Sequence, residues 1–589
     1  MVLQNLRLIA LLLLVGVVGG LSAQNQLLQT PFEKGDNYTA TYKEALAFYQ
    51  NLATTFPTKM RFLKQGPTDS GHPLHTAVLS RDGDFDPVSL RRKDKLILLV
   101  NNAIHAGEPC GVDATMLLFR DYLVGDSLPE NVVLVAIPFY NIGGGLNRGS
   151  YSRANQNGPK SHGFRGNARN LDLNRDFVKS DSRNARSFQE IFTTWQPHFF
   201  VDNHTSNGAD YQYTITLIPT QKDKLGAPLA GYLTEELLPE LFSKMATTAY
   251  EMTPYVYARS TPDEGIYGFL DLPRYSTGYA ALRHSIGFMP ETHMLKPFAD
   301  RVRSVYHFMD FLVEKIDREP VRILAAFERN RQQALRQDSF DLNWTVDDSR
   351  VDSTFFKGYT ADYKPSAVTG QQRLYYDRAR PWARNIPFWN SYKATKTVKR
   401  PFAYVIPQAY GEVVENLRRS GVELYRLERN TDLTGTFYYI DDYKSRSAPY
   451  EGHYLHSEVV VRTETLTHEF HKGDYVVLTG QPEAKFLVHV LEPEAPDSYF
   501  AWNYFDGVLM QKEYFSSYVF EERAAELLEQ DANLKRAFDT RRAEDPDFAD
   551  DGRAQLQYIY EHSPHYERTH NRYPVLRLET PVDLPLVKD

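Results

Sequence analysis

Apolar positions along the chain come in two textures. In the first half, short unbroken apolar runs alternate with stretches whose apolar residues recur every three or four positions. Unbroken runs read as strands buried on both faces, and the recurring pattern reads as amphipathic helix. Strands are expected at 96–100, 132–138, 198–202 and 286–289. Tyr42, Ala45, Leu46, Phe48, Tyr49 and Leu52 predict a helix over 41–56. Further helices are expected over 112–123, 182–194, 228–250, 298–315 and 321–336. Residues 61–64 and 75–79, joined by a turn from Gly66 to Gly71, predict a hairpin. Strands alternating with helices argue an α/β fold with a mixed or mostly parallel sheet.

From about Asp338 the texture changes. Short alternating runs at 355–363 and 371–376 are separated by Pro and Gly, the pattern of a β-rich module. Residues 402–406, 411–419 and 422–427 read as one strand–helix–strand unit. Strands at 459–463 and 475–478 and helices at 514–530 and 532–543 follow, and the end is polar. The expected division is 1–23, 24–336 and a β-rich accessory region at 337–589.

Composition narrows the class of protein. At 589 residues there is room for two or three domains. With 42% apolar and 24% charged residues the chain reads as globular. A net charge of −8 argues against a nucleic-acid or anionic-membrane partner that needs a basic surface. Residues 1–23 carry one positive charge, an apolar run at 8–18 and then small residues, which reads as a secretory signal peptide. The run is short for a membrane span, so no stable insertion is expected after its removal. A secreted or periplasmic location follows from that reading. Cys110 is the single cysteine, so no intrachain disulfide can form, and a buried structural thiol is its expected state.

The candidate chemistry sits where apolar runs end. His105 and Glu108 lie in the loop after the run at 96–100. A neutral nitrogen and an anionic oxygen at such a strand end suit one zinc ion. The spacing alone is weak, because His and Glu often fall three apart on ordinary surfaces. Three further patches strengthen it. His204 follows the run at 198–202, Glu291 follows the run at 286–289, and residues 165–177 hold Arg165, Arg169, Asp172, Asn174 and Arg175.

On these residues the chain resembles the zinc carboxypeptidase family of carboxypeptidase A type. The matching elements are His105-x-x-Glu108, the Asp172-Leu173-Asn174-Arg175 block, Asp202-x-His204 and Glu291, in family order. The resemblance covers about residues 41–315, and the whole chain looks like a large secreted bacterial subgroup. It implies a mixed, mostly parallel twisted sheet with helices on both faces. It also implies a zinc metallocarboxypeptidase that releases the C-terminal residue of peptides bearing a free carboxylate. His105, Glu108 and His204, the known His₂Glu set of carboxypeptidase A, would hold one Zn²⁺. Asp172 would hydrogen-bond His105 and fix its tautomer. Glu291 would act as the base on the attacking water. Asn174 and Arg175 would grip the substrate carboxylate. Arg165 would stabilise the oxyanion, with Arg169 competing for that role.

The chain also departs from the family. Residues 141–144 read Asn-Ile-Gly-Gly where members often carry Asn-Pro-Asp-Gly. The substrate tyrosine could be Tyr267, Tyr275 or Tyr279, with Tyr279 taken as the candidate, and Arg274 and Arg283 lie in the same segment. His453-x-x-His456 and His468-Glu469-Phe470-His471 mimic a second metal site, but their spacing and flanking turns favour solvated histidines. Rival readings are a zinc amidohydrolase on N-acyl amino acids or cell-wall peptides, and a non-catalytic binding relative.

Overall fold

The computed structural model describes residues 28–35 and 37–589. The expected leader, residues 1–23, lies outside them. Among the described residues no helix is long and apolar enough to cross a membrane.

The first half builds a nine-stranded sheet. Its strands are β1 (Met60–Pro67), β2 (Pro73–Leu79), β3 (Leu96–Asn101), β4 (Val132–Ile137), β5 (Phe199–Asp202), β6 (His204–Ser206), β7 (Ile215–Pro219) and β8 (Met252–Pro254), with β10 (Ile286–His293). The short β9 (Ile266–Tyr267) pairs elsewhere, with strand Gln372–Trp389. The order is β1-β2-β4-β3-β5-β10-β7-β8, and β6 also lies on β10. The centre, β4-β3-β5-β10, is parallel. The β1–β2, β2–β4 and β10–β7 pairs are antiparallel. The sheet is therefore mixed and mostly parallel.

The unbroken apolar runs have a direct cause. Phe199 of β5 packs on Phe327 of helix Pro320–Arg336, with ring centroids 5.6 Å apart. Its neighbour Phe200 points the other way, onto Phe188 and Phe192 of helix Arg183–Trp195 at 5.5 and 5.8 Å. Both faces are covered, so neither can carry polar residues. Each such ring contributes roughly 1.5–3 kcal/mol by leaving water.

The helices start where their caps allow. Thr41 and Glu44 form a reciprocal capping box at helix Tyr42–Thr55. Ser182 accepts the Ala185 N–H at the start of Arg183–Trp195. The helix expected at 228–250 is interrupted: α-helix Ala227–Gly231, a wide π turn Tyr232–Leu237 and α-helix Leu238–Ala246 follow one another. Pro239 has no N–H to donate to the preceding turn, and the widened turn adjoins it. The strand expected at 286–289 runs on to His293, which puts Glu291 inside it.

Beyond 336 the chain is β-rich with added helices. Strands Asp352–Pro365 and Gln372–Trp389 form one long hairpin, and Thr431–Ser445 and His456–Phe470 another. The second hairpin belongs to a seven-stranded sheet with Ala403–Ile406 and Tyr475–Leu478. Helix Gly411–Arg419 forms the expected strand–helix–strand unit with Ala403–Ile406 and Tyr425–Leu427. The polar end holds helices not expected from the sequence, Pro546–Asp550 and Gly552–Glu561, around a small core that includes Phe520, Phe538 and Phe548. One hydrophobic cluster nevertheless runs from Leu28 to Val575, so both halves share a core.

The order of strands creates a crevice. From β3 the chain crosses to β4 on one side, while β5 lies on the other. Such reversal points open a cleft beyond the strand C-termini. Helix Cys110–Val124, which leaves this cleft, is tied by Asp113 to the segment that leads into helix Tyr42–Thr55. The Asp113 carboxyl accepts Thr39 Oγ1 at 2.5 Å and the Ala40 N–H at 3.1 Å, fully buried. Burial pushes this carboxyl up from 3.8 to about 7. The unfolded chain releases the proton near 3.8, and the native state near 7. Between those values the native state binds the extra proton, so stability falls as pH rises and levels off above about 7. Asp113→Asn should flatten that slope in urea unfolding between pH 4 and 8, by up to roughly 4 kcal/mol. An unchanged slope would place the titration elsewhere.

Candidate metal centre and active site

His105 and Glu108 lie in the loop after β3, and His204 opens β6 directly after β5. The two loops are locked together by buried amides. Asn101 Nδ2 donates to Asp202 Oδ1 at 3.0 Å, and Asn203 Nδ2 donates to Asn102 Oδ1 at 2.8 Å. The Asn203 N–H adds a bond to the Asn101 carbonyl at 3.1 Å. Asn102 Nδ2 in turn donates to Thr115 Oγ1 at 3.1 Å. Ala103, at φ 55°, turns the chain sharply before His105.

The three donor groups converge, with ligand atoms all within 4.8 Å of one another. His105 Nδ1 lies 3.0 Å from Glu108 Oε1, and His204 Nδ1 lies 3.0 Å from Oε2. Both imidazoles thus turn the same nitrogen inward. Each Nε2 faces a carboxylate: Asp172 Oδ1 at 2.8 Å for His105 and Asp202 Oδ2 at 3.0 Å for His204. Outer carboxylates of this kind orient the ring and raise its basicity as a ligand. This donor set fits a divalent metal: two nitrogens and one anionic oxygen face one point, and each ring's far side is already satisfied. The Thr205 N–H donates to Glu108 Oε2 at 2.8 Å. The charges follow the geometry. Burial would raise the Glu108 carboxyl, but His105 and Arg153 outweigh it and hold it well below the usual range. Burial would lower His204, but Asp202 and Glu108 push it well above its ordinary value.

The cleft beyond the donors is lined by Arg153, Arg165, Asn174, Arg175, Tyr255, Tyr275 and Glu291, among others. Glu291 pairs in register with His204 across β10–β6. Burial pushes its carboxyl up to about 8. Arg165 holds Asp172 through Nε and Nη2, at 3.1 and 2.8 Å, with Nη1 3.6 Å from Glu108. Asn174 lies under His204, with Nδ2 3.4 Å from its Nε2. Arg175 stacks on the Tyr275 ring at 4.4 Å.

Two sequence candidates lie elsewhere. Arg169 is exposed and donates to the Asp181 carbonyl, outside the cleft lining. Tyr279 is fully buried, packed on Phe177, Phe192 and Phe486. Tyr275, one helical turn earlier, faces the cleft instead. Two cleft residues carry no sequence signal. Arg153, in a glycine-rich loop, bonds Glu108 Oε1 at 2.6 Å, and Tyr255 follows β8. His453 pairs with Asp181 and His456 with Asp506, and among the described residues no second metal cluster forms. Cys110 is buried against Thr205 and Thr292, and burial pushes its thiol up.

No family model matches the chain. Carboxypeptidase 2 of Trichophyton equinum is 23% identical over 436 residues, covering 69% of this chain and 73% of that protein. Carboxypeptidase 2 of Trichophyton tonsurans is 22% identical over the same length and coverage. Among solved structures, a metallo-carboxypeptidase from Burkholderia cenocepacia aligns at 12% identity and TM-score 0.36, covering 48% of this chain and 70% of its own. Carboxypeptidase A from Helicoverpa armigera aligns at 14% and 0.35, covering 52% and 82%.

Removing an outer carboxylate should weaken metal binding without unfolding the chain. Asp202→Asn is expected to lower divalent-metal affinity by about 10–100-fold in calorimetric titration. Equal affinity would show that His204 needs no outer partner. Three donors converge and curated relatives are named carboxypeptidase, so the chain is similar to carboxypeptidases, in line with the resemblance to the zinc carboxypeptidase family of carboxypeptidase A type.

Proposed function

We propose that the protein is a secreted or periplasmic zinc carboxypeptidase, which hydrolyses the last peptide bond of substrates with a free C-terminal carboxylate. The observation that carries this reading is the joint placement, in one cleft, of the three donors, Glu291 and Arg175. A site of two imidazoles and one carboxylate suits zinc among divalent ions. His105, Glu108 and His204 would hold it. When bound, the ion supplies Lewis-acid chemistry and a positive charge that favours ionised Glu291.

The chain's own groups supply the rest. Arg175, a planar fork stacked on Tyr275, would bind the substrate carboxylate, with Asn174 beside it. That contact places the last peptide bond over the donors. A Glu291 carboxylate oxygen would take the proton of the attacking water and deliver it to the leaving nitrogen. Glu108 cannot do so, because both its oxygens are engaged by His105, His204, Arg153 and Thr205. Arg165 or Arg153 would stabilise the oxyanion, since both lie beside Glu108 in the cleft. The apolar leader pattern at 1–23 supports export.

Glu291→Gln keeps size and hydrogen bonding and removes the base. It should retain zinc by metal analysis and lose on the order of 10²–10⁴ in kcat. Retained activity, or lost zinc, would assign Glu291 another role. Arg175→Ala should weaken turnover of free-carboxylate peptides by about 2–5 kcal/mol in kcat/KM. Wild-type cleavage of free and amidated peptides at equal rates would favour an amidohydrolase instead. Chelation should abolish hydrolysis and added zinc restore it; chelator-resistant turnover would refute the zinc reading.

A further inference from the structure

A turn in the C-terminal half reaches the carboxylate end of the cleft. Residues 450–453 form a two-residue hairpin turn, closed by Tyr450 N to His453 O at 2.7 Å and His453 N to Tyr450 O at 3.1 Å. Its tip residues are both left-handed, Glu451 at φ 51° and Gly452 at φ 85°. Asn, Asp or Gly suits the first tip position of such a turn. A glutamate there is conformationally disfavoured, because its Cβ crowds the backbone.

That residue makes a specific contact. The Asp172 N–H donates to Glu451 Oε2 at 2.6 Å. Asp172 is the carboxylate that orients His105 and holds Arg165. On the other side of the turn's tip, Tyr450 Oη accepts Arg175 Nε at 2.9 Å. His453 Nε2 lies 2.7 Å from Asp181 Oδ2. Three residues of one turn thus grip the segment 172–181. Arg175 also donates Nη1 to the Asn174 carbonyl at 2.8 Å and lies over Tyr275. The guanidinium is therefore held through Nε and Nη1, while the residue still lines the cleft.

Resting on the carboxypeptidase reading above, we propose that this turn is a built part of the substrate-carboxylate site. Tyr450 is a positioning residue for Arg175, and Glu451 is one for Asp172. Glycine would suit the left-handed position better, but it would lack the carboxylate that receives the Asp172 N–H.

The test uses the full-length zinc enzyme, with peptides that differ only in a free or amidated C-terminus. Tyr450→Phe keeps the ring stacked on Trp502 and removes the hydroxyl. It should raise KM for free-carboxylate peptides about tenfold, with kcat within about twofold of wild type. Glu451→Gly suits the left-handed backbone, so the melting temperature should hold or rise while KM rises several-fold. Unchanged KM in both variants, with wild type discriminating free from amidated ends, overturns the inference alone. A melting temperature that falls together with activity in Glu451→Gly also overturns it, since the turn would then be merely structural. Wild type that ignores the C-terminal carboxylate overturns the parent reading and this inference with it.

Discussion

A buried carboxylate between two imidazoles is the constraint on which this molecule is organised. Glu108 is 2% exposed, and taking such a charge from water costs several kcal/mol unless it is neutralised. The fold meets that cost with Arg153, His105, His204 and the Thr205 N–H, all on one carboxylate. The imidazoles need compensation in turn, and Asp172 and Asp202 supply it. Glu108, His105, His204, Thr205 and Asp202 are placed by strand ends or the loops beside them, while Arg153 and Asp172 reach in from the long segment between β4 and β5. The parallel centre of the sheet is therefore what makes the site affordable.

The sheet was largely legible because burial on both faces leaves an unbroken apolar run. The runs at β3, β4 and β5 are of this kind, and His105 and His204 stand just past two of them. Glu291 lies within a strand that continues to His293, an extension that Pro290 and the polar residues after it hide. Tyr279 misled for a local reason. Tyr275 is the cap of helix Ser276–Leu282, with extended backbone, so its ring leaves the helix and enters the cleft. Tyr279, inside the helix, turns to the core.

The site contacts that could not be read share one property: they join residues distant in sequence, without periodicity. Arg153 reaches Glu108 from a polar loop 45 residues away. Tyr450 meets Arg175 across 275 residues, and Glu451 meets Asp172 across 279. Composition marks the region after 336 as β-rich, but nothing in it announces which turn touches the cleft. The shared core explains how such contacts become reliable. Phe486 of the C-terminal half packs on Tyr279, and Arg274 pairs with Asp497 at 2.8 Å, so the halves are held in register around the turn.

The asparagine ladder has a consequence for motion. Asn101, Asn102 and Asn203 join the two donor loops through side chains and backbone that see no solvent. Neither loop can swing outward alone without stranding buried amides, and each stranded group costs about 1–3 kcal/mol. The donors on both loops therefore open together or not at all. Amides behind them should therefore share one slow opening rather than exchange with ordinary loop fluctuation.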